Sequence, residues 1–490
     1  MMKRRTTMKH HLLHWGTYLL CACGLLLLSG QQDFQQWLAE QDSAMQEFKD
    51  RRDKEFLNYL EKDWKEFQAY DGLVRDPAPK PPEIPLAASP AGEPLPDVPI
   101  IEEVAIPPMP AQPKPEPAPP PATSPTGREV KFLFFGIPVQ IVVDKAIENV
   151  GMDEVNEEGI RNFWSTMSRT DYSPAVQQLE SLRDRLGLND WGYVHLTSSL
   201  GKSIYGERGN EWRLLSWFLL TKSGIQTRIG YHGEVVYLLL PSESKVFGVP
   251  FLTLEGEYFY IIPLGTESTS VPAITSYQGT YPNADRRIDF RLRTAPAFGN
   301  NPKELSLKFE YGGEEHTLPV KLNRHLIDFY NSYPQTDIPI YFGALLSAEA
   351  AGSLLHQLRP LVQGKSETKA VNILLRFVQT AFRYETDAQQ FGAENYLFPE
   401  ETLFYPASDC EDRSALFAYL VRNLLDREVI GLDYPGHIAT AVKFHGDVGR
   451  DFIMHEGAKY TVADPTFIRA EYGMTMPAVR EKTPEVFLIP

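Results

Sequence analysis

The C-terminal part of the chain (346–490) carries the clearest pattern of apolar and polar positions. Over residues 366–382 apolar side chains return every three or four positions, which is the spacing of one helix face. The same spacing returns over residues 415–425, so a second helix is predicted to begin at Cys410. Asp409 is a residue type that commonly caps a helix start. Two helices are therefore predicted in this part.

Two strand-like runs, 436–442 and 459–466, follow the second helix. His437 lies at the start of the first run, and Asp464 lies near the end of the second, directly before a proline. Helices followed by separate strands predict an α+β fold.

The middle of the chain repeats this order. Residues 211–233 have the pattern of an apolar helix followed by a short strand, as residues 410–436 do. Two strand-like runs follow, over residues 235–240 and 258–262. Residues 128–275 are therefore predicted to form an α+β domain. It is either a degenerate copy of the C-terminal domain or an unrelated unit with the same common order.

Residues 276–345 are predicted to form a small antiparallel β unit. Apolar and polar residues alternate between Ile288 and Val320, and Gly312 and Gly313 provide a turn between two strands.

The N-terminal part changes composition twice. Residues 31–71 carry aromatic and aliphatic side chains at helical spacing, which predicts an amphipathic helical arm. The apolar face of this arm contacts its own domain, a protein partner or a second copy of the chain. Residues 72–127 contain 19 of the chain's 39 prolines, which predicts an extended spacer that holds the arm at a distance.

Residues 1–30 predict export. A basic leader is followed by an apolar run over 18–28 and by small and polar residues, which is the order of a secretory signal. A periplasmic or secreted location follows from it. The alternative is lipidation at Cys23, which alone would imply membrane contact. The formal net charge of −16 argues against nucleic acid as a partner.

Cys410 is the single cysteine that remains once the signal, with Cys21 and Cys23, is removed. A lone cysteine in an exported protein forms no internal disulfide, and its polar neighbours favour a reactive thiol over a core residue. A helix start stabilises a thiolate, which predicts a lowered thiol pKa.

A histidine and an aspartate that could serve as imidazole and orienting carboxylate follow Cys410 at equal spacings along the chain. His437 lies 27 residues after Cys410, and Asp464 lies 27 residues after His437, so adjacent strands could bring the three side chains together. His445 and His455 lie among polar residues and are interpreted as solvated surface histidines.

These residues resemble the transglutaminase-like superfamily of papain-type folds. The resemblance covers roughly residues 350–480 and rests on three motifs: Asp-Cys-Glu-Asp-Arg-Ser (409–414), Gly-His-Ile-Ala-Thr-Ala-Val (436–442) and Asp-Pro-Thr (464–466). It implies that Cys410 is the nucleophile, His437 the general base and then acid, and Asp464 the residue that fixes the imidazole tautomer. The small residues after the histidine depart from the usual pattern of relatives.

The expected function is that of an exported cysteine-dependent amide hydrolase, a peptidase or amidase, with a protein or peptide substrate. Attack by Cys410 gives an acyl-enzyme, a chemistry that needs neither a metal nor another cofactor. The alternatives are transfer of the acyl group to an amine, and a non-enzymatic scaffold or binding module of the cell envelope. An oxyanion hole needs the Cys410 backbone N–H and a second donor, for which Gln389, Gln390 and Tyr405 are candidates.

Overall fold

A computed structural model describes residues 51–62, 64–75, 80–81, 83–87, 127–206, 208–265 and 270–489. The predicted signal (1–30) with Cys23, the first part of the predicted arm (31–50) and most of the proline-rich segment lie outside the described residues. Within the described ranges, no helix is both long and apolar enough to cross a bilayer. Helices and sheets are mixed throughout, which confirms the α+β class.

The first unit packs helices against a six-stranded sheet. Its elements in chain order are α1 (51–62), β1 (Trp64–Gln68), β2 (Arg128–Phe134), β3 (Ile137–Val143), α2 (Glu157–Met167), α3 (Ser173–Leu186), α4 (Asp190–Tyr205), α5 (Gly209–Lys222), β4 (Arg228–His232), β5 (Val235–Pro241), β6 (Val246–Phe247), β7 (Phe251–Leu254), β8 (Glu257–Tyr260) and β9 (Ala273–Tyr277). The sheet has the order β1-β9-β4-β5-β8-β7, and its neighbouring strands are antiparallel.

A long hairpin connects this unit to the C-terminal one. The connecting elements are β10 (Pro302–Tyr311), β11 (Glu314–Asn323), α6 (Arg324–Tyr330), β12 (Gln335–Thr336) and α7 (Ile338–Phe342). Gly312 and Gly313 form the turn between β10 and β11 with φ of 63° and 84°, a backbone conformation that glycine adopts at no steric cost. Before residue 302 the predicted strand pattern is wrong: Phe290 and Leu292 are buried but lie outside any strand.

The C-terminal unit carries the candidate site. Its elements are α8 (Ala348–Val362), α9 (Glu367–Ala381), β13 (Arg383–Tyr384), α10 (Asp387–Gln390), α11 (Pro399–Phe404), β14 (Ala407–Ser408), α12 (Cys410–Leu425), β15 (Val429–Tyr434), β16 (His437–Val442), β17 (Phe452–His455), β18 (Ala458–Ala463) and β19 (Glu485–Leu488). Its sheet has the order β17-β18-β16-β15-β19 with antiparallel neighbours. Helix α12 packs on β15 and β16, so its first residue lies beside the start of β16.

The two sheets share one strand order. In the first sheet, neighbouring strands lie in the order β9-β4-β5-β8-β7, and in the second sheet the matching order is β19-β15-β16-β18-β17. Along the chain an apolar helix comes directly before each set, α5 before β4 and α12 before β15. The positions of Cys410, His437 and Asp464 correspond to Gly209 at the start of α5, Val235 at the start of β5, and Ile261 after β8. None of these three side chains can supply a nucleophile or a base. The interpretation of residues 128–275 as a degenerate copy stays a prediction. The shared strand order of the two sheets is its topological basis.

The prediction that the arm is displayed at a distance is wrong for its described residues. Phe56 and Leu60 of α1 are buried in the main core, and the ring of Phe56 lies 4.6 Å from that of Trp164. Asp53 accepts a hydrogen bond from Trp164 Nε1 at 3.2 Å and forms an ion pair with Lys222. The apolar stripe of the arm covers apolar surface of the first unit, and β1 then joins its sheet rather than continuing the helix.

The start of the predicted spacer is also bound to the body. We call the described residues 70–75, 80–81 and 83–87 the strap. Tyr70 forms a bridge with Phe251 of the first unit, and Leu86 forms one with Ile468 of the C-terminal unit. The strap therefore crosses both units, and a free spacer over 72–127 is excluded for its described residues.

Candidate active site

Cys410 is the first residue of α12, and Asp409 is the N-cap residue, as the pattern predicts. The Asp409 N–H donates to Asp412 Oδ2 at 3.2 Å, which closes the first turn. The thiol is 1% exposed. It donates a hydrogen bond to Glu411 Oε2 at 3.1 Å and accepts one from the Ile438 N–H at 3.4 Å.

The surroundings of Cys410 oppose ionisation of the thiol. Burial raises the pKa of Cys410 well above its ordinary value, and the charges of Glu411 and Asp409 add to this effect. Lys80 and the Ile438 N–H act in the opposite direction but do not compensate. The predicted lowering of the thiol pKa is wrong for this arrangement, because burial of the thiol, together with the charges of Glu411 and Asp409, raises the pKa of Cys410.

His437 and Asp464 lie side by side. His437 is the first residue of β16 and Asp464 follows the last residue of β18, and the pairing of Thr440 with Ala463 brings these strand ends together. His437 Nε2 is 2.9 Å from Asp464 Oδ2, and both side chains are buried. The other ring nitrogen, Nδ1, has no hydrogen-bond partner among the residues that the structure describes.

Backbone donors and a buried glutamine fix the Asp464 carboxylate in place. Asp464 Oδ1 accepts hydrogen bonds from the N–H groups of Thr466 at 2.9 Å and Phe467 at 3.1 Å. Gln379 on α9 donates to the carbonyl oxygens of Asp464, Phe467 and Ala470. One side chain thus holds the loop after β18, and its only signal in the sequence is a polar residue inside an apolar helix.

The structure shows a His437–Asp464 contact and a Cys410 thiol that lies against the start of the histidine strand. The Ile438 N–H that contacts the Cys410 thiol belongs to the residue after His437, so the thiol lies against the strand start that carries the imidazole. Nε2 of that imidazole is hydrogen-bonded to Asp464, which leaves Nδ1 for another partner. In this arrangement the thiol donates to Glu411, and proton transfer to the imidazole would require the thiol to turn toward Nδ1.

A lysine from the strap lies in a group of carboxylates next to Cys410. Lys80 Nζ is 2.8 Å from Asp409 Oδ2, 2.9 Å from Glu394 Oε1 and 3.4 Å from Asp387 Oδ2, and it also contacts Glu411 Oε1. We call these four carboxylates the acidic pocket. The ring of Tyr396 forms one wall, with its centroid 5.5 Å from Nζ.

The acidic pocket has the donor set of a cation site. Oxygens of Asp387, Glu394 and Glu411 lie within 4.8 Å of one another, as do those of Asp387, Asp409 and Asp412. Burial raises the pKa of Asp387 to about 7, with a further contribution from Glu411. Lys80 could not be predicted from the sequence, since about 330 residues separate it from Cys410 and it lies among prolines.

Two of the three predicted candidates for the second oxyanion donor are engaged elsewhere. The Gln389 side chain caps its own helix through Thr386, and the Tyr405 hydroxyl donates to Asn331 Oδ1 at 2.8 Å. Gln390 is half-buried on α10. Tyr384 interacts electrostatically with the Cys410 thiol and offers a hydroxyl donor nearby, which now donates to the Pro81 carbonyl at 2.9 Å.

The two remaining histidine candidates lie away from the triad. The His445 side chain is 63% exposed and contacts Glu367, in agreement with its interpretation as a surface residue. His455 lies next to the turn of the β17–β18 hairpin and is half-buried.

No family model matches the chain, and no curated protein matches it.

Proposed function

We propose that the protein is an exported cysteine-dependent amide hydrolase with a papain-like, transglutaminase-type C-terminal domain. The observation that carries the proposal is the buried contact between His437 Nε2 and Asp464 Oδ2 at 2.9 Å, with Nδ1 left unpartnered among the described residues. Cys410 lies at a helix start against the same strand. A structural module has no need of a buried imidazole oriented by a carboxylate beside a lone thiol.

In the proposed reaction the Cys410 proton passes to His437 Nδ1, and the sulfur attacks the amide carbonyl carbon. The tetrahedral intermediate collapses as the C–N bond breaks, and His437 gives its proton to the departing amine. Water then attacks the thioester with His437 as base, and the carboxylic acid leaves. Asp464 holds the imidazole in the tautomer with hydrogen on Nε2 and stabilises its charged form.

The oxyanion of the intermediate needs two donors in this proposal. The backbone N–H of Cys410 at the start of α12 supplies one. The Tyr384 hydroxyl is the candidate for the other, because it lies near the thiol and is engaged by the strap rather than by the body of the domain.

The experiment compares amide hydrolysis and amine incorporation by the mature full-length chain. A peptide library and a labelled primary amine are offered in parallel to the wild type, Lys80→Ala, Cys410→Ala and His437→Ala. Loss of at least 100-fold of the rate in the last two is expected, since nucleophile and base act as a unit (about 10³ or more in other triads). His445→Ala is the matched histidine control and should retain the rate.

Three results would change the assignment. Amine incorporation that exceeds hydrolysis would identify an acyltransferase. Hydrolysis that persists in Cys410→Ala would contradict the mechanism. Activity in none of the proteins, including Lys80→Ala, would favour the scaffold alternative.

A further inference from the structure

The strap lies on the C-terminal unit as a peptide lies in a binding groove. At one end the Pro81 carbonyl accepts a hydrogen bond from Tyr384, and the Lys80 side chain enters the acidic pocket. At the other end the Ala87 N–H donates to the Ile468 carbonyl at 2.9 Å, four residues after Asp464. Backbone hydrogen bonds together with a side chain in a pocket are the usual elements of peptide recognition.

The acidic pocket is built for a cation. Within it Asp387 serves the fold of the domain by accepting the backbone N–H of Asn395, as the neighbouring Asp412 does for Leu397. In contrast, Glu411 contacts the Lys80 ammonium with one oxygen and the Cys410 thiol with the other. Asp409 Oδ1 is fully buried and has no hydrogen-bond partner among the described residues. Such carboxylates are costly to bury without a positive charge beside them.

We propose that the acidic pocket is a subsite for the lysine side chain of a peptide substrate, and that the strap occupies it with Lys80 in place of that substrate. The inference deepens the proposed function and rests on it for the chemistry at Cys410. A peptide with a lysine fits the pocket because carboxylates and the Tyr396 ring together suit an alkylammonium group.

The pocket recognises the ammonium and does not activate it as an amine acceptor. Burial by itself would lower the pKa of Lys80, but the charges of Glu411 and Asp409 outweigh burial and hold this pKa far above its ordinary value. A lysine held here keeps its proton and is not nucleophilic. The bound cation also offsets the charge of Glu411 beside the thiol, so a substrate that carries it favours the thiolate.

The test is calorimetric titration of the full mature chain carrying Lys80→Ala, with N-acetyl-lysine methylamide as the probe. N-acetyl-norleucine methylamide is the matched uncharged probe. We expect the lysine probe to bind Lys80→Ala at least about tenfold more tightly than the norleucine probe, since charge-assisted contacts are lost with the ammonium. Binding should be weak in the wild type, where Lys80 fills the pocket, and in Lys80→Ala/Glu411→Gln.

Lys459→Ala is the control, since Lys459 pairs with Asp447 on the surface of the same unit. It should behave as the wild type does. Equal affinity of the two probes for Lys80→Ala, or unchanged binding after Glu411→Gln, would overturn the subsite.

A folding defect in Lys80→Ala would still give a result. In that case n-butylammonium chloride in the refolding buffer should restore the native circular dichroism spectrum, and sodium chloride at equal concentration should not. Equal rescue by both salts, or by neither, would overturn the proposal. These measurements need no turnover, so failure of the triad mechanism would appear separately, in the kinetics of Cys410→Ala.

Discussion

The Cys410 thiol donates its hydrogen bond to Glu411, the next residue of the chain, with Sγ 3.1 Å from Oε2. The other oxygen of the same carboxylate contacts the Lys80 ammonium. One side chain therefore connects the nucleophile to the cation of the strap. In this arrangement the sulfur is a buried thiol that serves as a donor, and its activation depends on what happens at Glu411 and Lys80.

Glu411→Gln should make the thiol more reactive near neutral pH. The substitution removes the largest charge effect that raises the pKa of Cys410 after burial, so thiolate forms at lower pH. Iodoacetamide alkylation rates measured across pH should show a midpoint that moves downward relative to the wild type, with a several-fold faster rate at pH 7.5.

The midpoint, rather than the maximal rate, is the diagnostic quantity here. Loosening of Lys80 in this variant changes access to the thiol, which scales the rate at every pH. It also weakens a charge that lowers the thiol pKa, which reduces the downward shift of the midpoint but is a smaller effect than that of Glu411. Glu428→Gln is the control because Glu428 is exposed and pairs with Lys443. Identical midpoints in the wild type and Glu411→Gln would contradict the role of Glu411.

Phe56→Ala should destabilise the protein by about 3–5 kcal/mol, the range for removal of a buried phenylalanine. Phe56 is 1% exposed, and its ring lies 4.6 Å from Trp164 and 5.4 Å from Tyr281. The free energy of unfolding is measured by urea denaturation. Phe452→Ala is the exposed control and should change it by less than about 0.5 kcal/mol. A loss below about 1 kcal/mol for Phe56→Ala would show that α1 packs only loosely.

Local signals in the sequence account for what could be predicted of the site. The start of α12 at Cys410 follows from helical spacing and a capping residue, and the strands of His437 and Asp464 follow from short apolar runs. Each of these signals lies within about twenty residues. The roles of these residues come from the resemblance alone, while the structure shows the His437–Asp464 contact and the Cys410 thiol against the start of β16.

The acidic pocket could not be predicted in the same way. Lys80 meets Asp409 and Glu411 across more than 300 residues, and a proline-rich composition describes a segment without showing what it contacts. The sequence leaves open what covers Phe56 for a related reason. An apolar helix face indicates that something covers it, and only the fold shows that its own domain does.

Glu401→Gln should stabilise the protein at alkaline pH and leave its stability unchanged at acidic pH. Burial raises the pKa of Glu401 to about 8, although the Phe398 N–H donates to its Oε2. The folded state then keeps a proton that the unfolded chain releases near pH 4.3, so wild-type stability falls as pH rises from about 4.3 to 8. Glutamine keeps the acceptor for Phe398 and does not titrate.

The difference in unfolding free energy between Glu401→Gln and the wild type should therefore be near zero below about pH 4. It should grow to roughly 1 kcal/mol or more at pH 8. Urea denaturation at several pH values measures it. Exposed Glu481→Gln is the control and should give a flat difference. A flat difference for Glu401→Gln as well would mean that Glu401 ionises normally in the folded protein.

Asp464→Asn should damage the proposed reaction more than Asp464→Ala does. The two backbone N–H groups of Thr466 and Phe467 point at Oδ1 and require an acceptor there, so the asparagine amide nitrogen must face His437. His437 Nε2 then has to accept a hydrogen bond, which moves the imidazole proton to Nδ1 and removes the lone pair needed to deprotonate Cys410. A carboxylate-to-amide change of this kind costs on the order of 10⁴ in rate in a serine protease triad.

Asp464→Ala leaves both tautomers accessible and should lower the rate roughly ten- to hundredfold. This is a smaller loss of rate than in triads where the orienting acid contributes more. Nitrogen-15 chemical shifts of the His437 ring report the tautomer without any substrate, and rates on the substrate found by profiling report the consequence. If the Asn variant kept the wild-type ring shifts and a near-normal rate, the Asp464 carboxylate would not control the tautomer of His437.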